Sequence, residues 1–147
     1  MDIIILNDHF DASLLLLRKR FCWKYTDIFY KSFTVTNSSQ ELMSQSAITK
    51  LLSINLGEQL LYEAINKSWW DQSGVEKSTF WNEVSYFKRL NRQVNADVCP
   101  QVLSSNADYQ IEATEYHNDL LVSVELCTAL NMKMSEVKKV LMNYALG

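Results

Sequence analysis

The chain has 147 residues, a formal net charge of −3 and a pI near 5.4, a balance that gives no global support for nucleic-acid binding. Apolar residues make up 48% of it and aromatics 12%, which argues against disorder, while one Pro and three Gly are too few turn residues for a loop-rich all-β fold. The length suits one domain that buries roughly two-thirds of its unfolded surface, and no apolar run approaches the ~20 residues of a membrane span.

Ile3–Leu6 is a continuous apolar, β-branched run and reads as a buried strand. It breaks into a polar turn carrying Asp8, His9 and Asp11, just past the strand's carboxyl end, where α/β proteins place ligand-contacting groups. Asp8 and Asp11 are candidate helix caps as well as candidate ligand-contacting groups. His9 is either a solvent-facing first-turn residue or an acid/base or hydrogen-bonding group, histidine being the side chain that changes charge near neutral pH. A helix follows, with Phe10, Leu14, Leu17 and Phe21 on one stripe widened by Leu15 and Leu16. Arg18, Lys19, Arg20 and Lys24 at its end suit a helix carboxyl terminus.

Tyr25 to Val35 reads as a short strand or irregular extended segment, and Thr36 to Ser46 as a polar loop. A helix starting near Ser46 points Ile48, Leu51 and Leu52 inward, and Asn55 with Glu58 resembles a capping arrangement. Leu56, Leu60, Leu61, Ala64, Ile65 and Trp69 repeat with helical spacing up to the break at Asp71–Gly74. The next helix carries Phe80, Val84, Phe87 and Val94, flanked by Trp81 and Leu90, and Cys99-Pro100 is expected to stop it. Residues 101–110 read as loop, Tyr116, Leu120, Val124 and Cys127 as another helical stripe, and Ser135 as the cap of a terminal helix.

The expected fold is therefore mainly α, about five helices, with one or two short strands near the start. A lone strand cannot satisfy its own backbone groups, so Ile3–Leu6 needs partners from residues 28–35 or from outside the chain. That deficit points to the carboxyl-terminal part of a larger α/β domain.

Cys22, Cys99 and Cys127 show no metal-ligand spacing; they are either three buried thiols or one disulfide and a free thiol. Asn37 and Asn66 open Asn-x-Ser sequons, which count only in the secretory pathway. Trp69 and Trp70 read chiefly as core, at most one of them being free to stack on a ligand. His117 reads as structural.

The first segment, from Ile3 through Asp8-His9-Phe10-Asp11-Ala12-Ser13 and the leucine run to Cys22-Trp23, resembles the galactose-3-O-sulfotransferase family. There a strand is followed by Glu-His/Tyr-Phe-Asp-Glu-Ser, leucines and Cys/Arg-Trp. The family's Asp-x-x-Tyr is matched by Asp27 to Tyr30, and its Asn-x-x-Asp-x-x-Leu-Tyr by Asn55 and Leu61-Tyr62. Its Phe-Asn-x-Ser/Thr-Phe-Trp is matched by Ile65 to Trp70. A later block, Phe80-Trp81, Glu83-Val84 and Phe87-Lys88, resembles the following helix, ending near Cys99. The resemblance covers roughly residues 2–99 of a single partial domain spanning 1–147, and the chain departs from the pattern at Ala12 and near Leu60.

The resemblance implies a P-loop-like sulfotransferase of the α/β class that moves a sulfuryl group from phosphoadenosine phosphosulfate (PAPS) to a galactose 3-hydroxyl of glycolipids, galactosylceramide among them, or of glycans. It implies a Golgi membrane protein facing the lumen and held by an upstream anchor; a start at Met1 taken literally would instead leave the chain cytoplasmic. Asp8, His9 and Asp11 are then acceptor-site candidates and Asn37 and Asn66 glycosylation candidates. No catalytic, cofactor-binding or metal-ligating residue is assigned. The sequence has no Gly-rich phosphate loop, so the chain alone is expected to be inactive. Alternatives are a non-catalytic helical interaction module, a truncated paralogue lacking the donor site, or an unrelated helical protein.

Overall fold

Phe80, Val84, Phe87, Leu90, Val94, Val98 and Val102 recur every three or four residues, and all seven are buried. They form one face of a long helical run that is the spine of the molecule. The computed structural model describes residues 4–31, 44–71, 77–133 and 135–137. The spine comprises α4 (Ser78–Gln93), a π turn (Val94–Val98) and α5 (Cys99–Ser105). Before it come α1 (Phe10–Phe21), α2 (Gln45–Ile54) and α3 (Leu56–Trp70). After it come β1 (Tyr109–Ile111), β2 (Leu120–Val122) and α6 (Val124–Asn131).

The spine organises the rest. α1 packs on α4 through Ala12 and Leu15, α6 packs on α5, and a 3-10 turn at Tyr25–Ile28 fills the space between α1 and β2. β1 and β2 pair antiparallel with Tyr109 opposite Val122 and Ile111 opposite Leu120. Trp69 of α3 is fully buried in the same core. The mainly helical character expected from composition holds, with two short strands.

Several local expectations are corrected. Ile4–Leu6 makes no strand: only Leu6 is buried, Ile5 is exposed, and Ile3 lies outside the described residues. The amide of Leu6 donates instead to the Ser13 hydroxyl, so a side chain takes the place of a ladder partner. The strands lie at 109–111 and 120–122, regions read as loop and helix. Leu120 and Val122 are buried and Leu121 between them is exposed, an alternation of period two that the helical template overlooked.

Pro100 does not end the helix at Cys99. The wider π turn opens the ladder just before it, and the proline falls in the first turn of α5, where a missing N–H is tolerated. On α1 the fully buried residues are Ala12, Ser13 and Leu15; Leu15 belongs to the widened stripe and Leu14 and Leu16 pack against the core, whereas Phe21 is exposed and stacks on Trp23. On α2 and α3, Leu51, Leu52, Leu56, Leu60 and Leu61 are exposed and Ile48 is half-buried, so their helical spacing marks a face that no described residue covers. Ser44 caps α2 by accepting from the Ala47 amide, whereas Asn55 makes no side-chain cap to α3. Residues 36–43 of the predicted loop and 138–147 of the predicted terminal helix lie outside the described residues; Ser135 sits within a short helical turn.

Cys99 and Cys127 are joined by a disulfide that ties α5 to α6, and Cys22 is free and exposed. The bridge spans 28 residues of sequence. A loop of that length should stabilise the fold by about 3.6 kcal/mol through the entropy it removes from the unfolded chain. Thermal unfolding of a Cys127→Ser variant should show that loss, and a reductant should lower the melting temperature of the parent but not of the variant.

Candidate functional site

The segment ahead of α1 folds as a single 3-10 turn, Asn7–His9, closed by the His9 amide donating to the Leu6 carbonyl at 3.1 Å. Two donors fix it to the rest of the molecule through one atom. The Leu6 amide and the Trp69 indole N–H both donate to the fully buried Ser13 Oγ, at 3.2 and 3.0 Å. A hydroxyl accepts two hydrogen bonds, so both donors are satisfied.

This junction sets the place of His9. Its ring stacks on Trp69 at 4.6 Å between centroids and meets Trp70 and Trp81 edge-on at 5.1 and 6.1 Å. His9 is thus half-buried in an aromatic cluster and not a solvent-facing first-turn residue. Trp69 and Trp70 are nearly perpendicular, at 88°. Trp69 is wholly enclosed, while Trp70 is 42% exposed and free to meet a ligand.

Neither Asp8 nor Asp11 caps α1. The Tyr62 hydroxyl of α3 donates to the exposed carboxylate of Asp8, a contact that raises the phenol pKa. The Tyr30 hydroxyl donates to Asp11 at 2.9 Å, and Lys88 approaches the other carboxylate oxygen at 3.8 Å. Burial, then the Asp11 hydrogen bond, push the Tyr30 phenol up to about 12. The three predicted residues therefore stay near one turn but face different partners. Asp8 and His9 look toward α3, and Asp11 toward α4 and the segment after the first helix. The turn thus carries a carboxylate paired with a phenol at Asp8 and, at the next residue, a ring against the exposed Trp70, groups of the kinds that hold a sugar by its hydroxyls and its apolar face.

A second cluster escaped the sequence reading. Glu83 of α4 is buried and accepts from Arg18 at 2.7 Å and from the Tyr25 hydroxyl at 2.9 Å, with Lys19 at 2.6 Å from its other oxygen. Arg18 and Lys19 thus serve a buried carboxylate as well as a helix terminus. Burial pushes the Glu83 pKa up, but the hydrogen bonds from Lys19 and Tyr25 and the charges of Lys19 and Arg18 outweigh it and hold the carboxyl below its ordinary value. Burial and the Glu83 charge raise the Tyr25 phenol well above its usual range.

Asn66 is half-buried on α3 with its Oδ1 enclosed and unpartnered, and Asn37 lies outside the described residues. His117 stands in the β1–β2 loop, where Nε2 meets the Tyr86 hydroxyl and Nδ1 the Asn118 carbonyl, each at 2.6 Å. Among the described residues no group of three or more His, Cys, Asp or Glu side chains is placed to hold a metal ion, and no helix is long and apolar enough to cross a membrane.

A family model described as galactose-3-O-sulfotransferase matches residues 1–115. The chain belongs to that family. Two similar proteins are both named galactosylceramide sulfotransferase. The one from Mus musculus is 30% identical and the one from Bos taurus 24% identical, each over 94 residues. Each match covers 63% of this chain and 22% of the relative, so the chain spans about a fifth of the length of the proteins it matches. No solved structure matches.

Ser13 and Glu83 are the residues that position the rest. Ser13→Ala leaves two donors in the core without an acceptor and should destabilise the protein by about 2 kcal/mol. Chemical unfolding followed by tryptophan fluorescence would measure it, with Trp69 reporting the opened junction.

Glu83→Gln leaves two cations without their counter-charge. Lys19 is half-exposed, so the cost should fall to about 2 kcal/mol, below that of a fully buried pair. Because the folded pKa of Glu83 lies below the ordinary 4.5, its contribution is complete above that pH and is lost as pH falls through the lowered value. The stability gap between parent and variant should accordingly close in acid, as read from urea unfolding at successive pH values.

Proposed function

We propose that this chain supplies the carboxyl-terminal part of a galactose or galactosylceramide 3-O-sulfotransferase, and that the turn around Asp8 and His9 builds its acceptor side. The donor is PAPS, held by a phosphate loop in the upstream part of the complete α/β domain, and the acceptor is a galactosyl glycolipid or glycan. The enzyme works on the lumenal side of the Golgi membrane through an upstream anchor, with Asn66 or Asn37 as glycan carriers. The observation that carries this reading is one turn of the family-matched residues whose Asp8 pairs with Tyr62 and whose His9 meets the exposed Trp70. Asp8 and the Tyr62 hydroxyl would orient the sugar, and Trp70 would carry its apolar face. His9, stacked on Trp69 and edge-on to Trp70, would hold the platform in shape.

A second reading, a non-catalytic helical interaction module, is favoured by one feature, the exposed leucines of α2 and α3. Two measurements separate the readings. Methyl β-galactoside should quench the tryptophan fluorescence of the chain with millimolar affinity, and Trp70→Ala or Asp8→Asn should weaken that binding about tenfold, the loss of one good contact. A module would show no galactoside effect and would self-associate in sedimentation. Calorimetric titration with the desulfated donor nucleotide should detect no micromolar binding to the chain alone. Such binding would place the donor site within these residues.

A further inference from the structure

An open hollow of about 510 Å³ lies between the start of α1, the extended segment ending at Lys31 and the polar face of α4. Lys88, Asn91, Arg92 and Asn95 line it from α4 and the π turn, at the spacing of one helical face. Lys31 and Asp11 complete it.

The charges do not balance. Lys31, Lys88 and Arg92 face one carboxylate, a local excess of two positive charges in a chain whose net charge is −3. Asp11 already accepts the Tyr30 hydroxyl, and its approach to Lys88 is long, at 3.8 Å. Arg92 makes no ion pair among the described residues. Lys88 and Arg92, four residues apart, repel each other on an exposed helical face.

The amides of the hollow are committed elsewhere. Asn91 accepts from the Tyr30 amide and donates to the Tyr30 carbonyl, both at 3.1 Å, and Asn95 donates to the same carbonyl at 3.0 Å. These bonds pin the backbone next to Lys31. Lys31 spends one ammonium donor on the Asn131 side-chain oxygen of α6, so the hydrogen-bonding capacity left toward solvent comes from Lys88, Arg92 and the remaining donors of Lys31.

We propose that this hollow is a binding site for a tetrahedral oxyanion, the sulfate or phosphate group of an ester. Three cations from separate points of the backbone suit several oxygens arranged in three dimensions; a planar carboxylate is better met by a single arginine fork. The ligand is weakly held by partly exposed cations, in the millimolar range and sensitive to salt. The site does not depend on the acceptor reading, because it uses neither Asp8, His9 nor Trp70.

The test follows backbone amide shifts of the chain in heteronuclear NMR. Sodium sulfate should move the amides around Lys31, Lys88 and Arg92, whereas sodium chloride at matched ionic strength should not. The double variant Lys88→Gln with Arg92→Gln should weaken sulfate binding about tenfold. Removing two cations elsewhere, Lys24→Gln with Lys50→Gln, should leave it unchanged. Tighter binding of galactose 3-sulfate than of inorganic sulfate would assign the ester to a saccharide. Preferential binding to phosphatidylcholine vesicles containing phosphatidylglycerol would assign it to a lipid headgroup; both outcomes support the site. Equal shifts with chloride, or undiminished sulfate binding in the Lys88/Arg92 variant, would overturn it. Loss of galactoside binding with sulfate binding intact would count against the acceptor reading alone.

Discussion

One buried hydroxyl decides where the site-bearing end of the molecule lies. Ser13 accepts one hydrogen bond from the chain before α1 and one from the end of α3. Through it the turn that carries Asp8 and His9, the first helix and the tryptophan pair are referred to a single point. The neighbouring packing leaves little freedom there: Ala12 and Leu15 are buried beside it, and Trp69 is enclosed. Polar groups sealed in a core specify geometry more strictly than apolar contacts do, because a shifted donor loses its bond without regaining water. That strictness explains how a segment lacking a strand partner still holds a defined position.

The opposite end of α1 is fixed by charge. Arg18 and Lys19 close on Glu83 from one helix to another, and Tyr25 adds its hydroxyl, so α1 is tied to the spine at its end by ions and to α3 at its start by Ser13. Between these two attachments the helix buries only small or branched groups against α4. The family-matched residues thus form a framed unit, with the aromatic cluster and the cationic hollow on its margins. The leucines of α2 and α3 stand outside that frame, which is why their spacing predicted helices correctly and burial incorrectly.

What the sequence made legible follows from which signals are local. Helical periodicity at Phe80, Val84 and Phe87 placed α4, and the run from Phe10 to Phe21 placed α1, because both patterns depend on near neighbours. The family motif drew attention to Asp8, His9 and Asp11, and the structure keeps them near one turn. Their partners were not legible. Tyr62 lies 54 residues from Asp8 and Glu83 lies 65 from Arg18, separations at which no spacing rule operates. Ser13 stood in the quoted motif, yet nothing local shows that its hydroxyl replaces a strand partner for Leu6. Pro100 misled for a related reason: its local rule is sound, but a π turn upstream changes the context in which the rule applies.

That π turn also has a consequence for how the chain tolerates change in length. A π turn holds one residue more than the α-helical turn it replaces, and each residue of an α-helix rotates its successors by about 100°. Because the extra residue is taken up within that one turn, deleting a single residue from Val94 to Val98 would let the spine heal into an uninterrupted α-helix with α5 close to its present phase. Cys99 would still face Cys127, and Val102 the core. A deletion elsewhere in the spine would instead swing α5 about its axis by that angle and part the two cysteines. The disulfide thus acts as a phase lock, and between Ser78 and Ser105 the spine is expected to tolerate the loss of one residue best at the π turn.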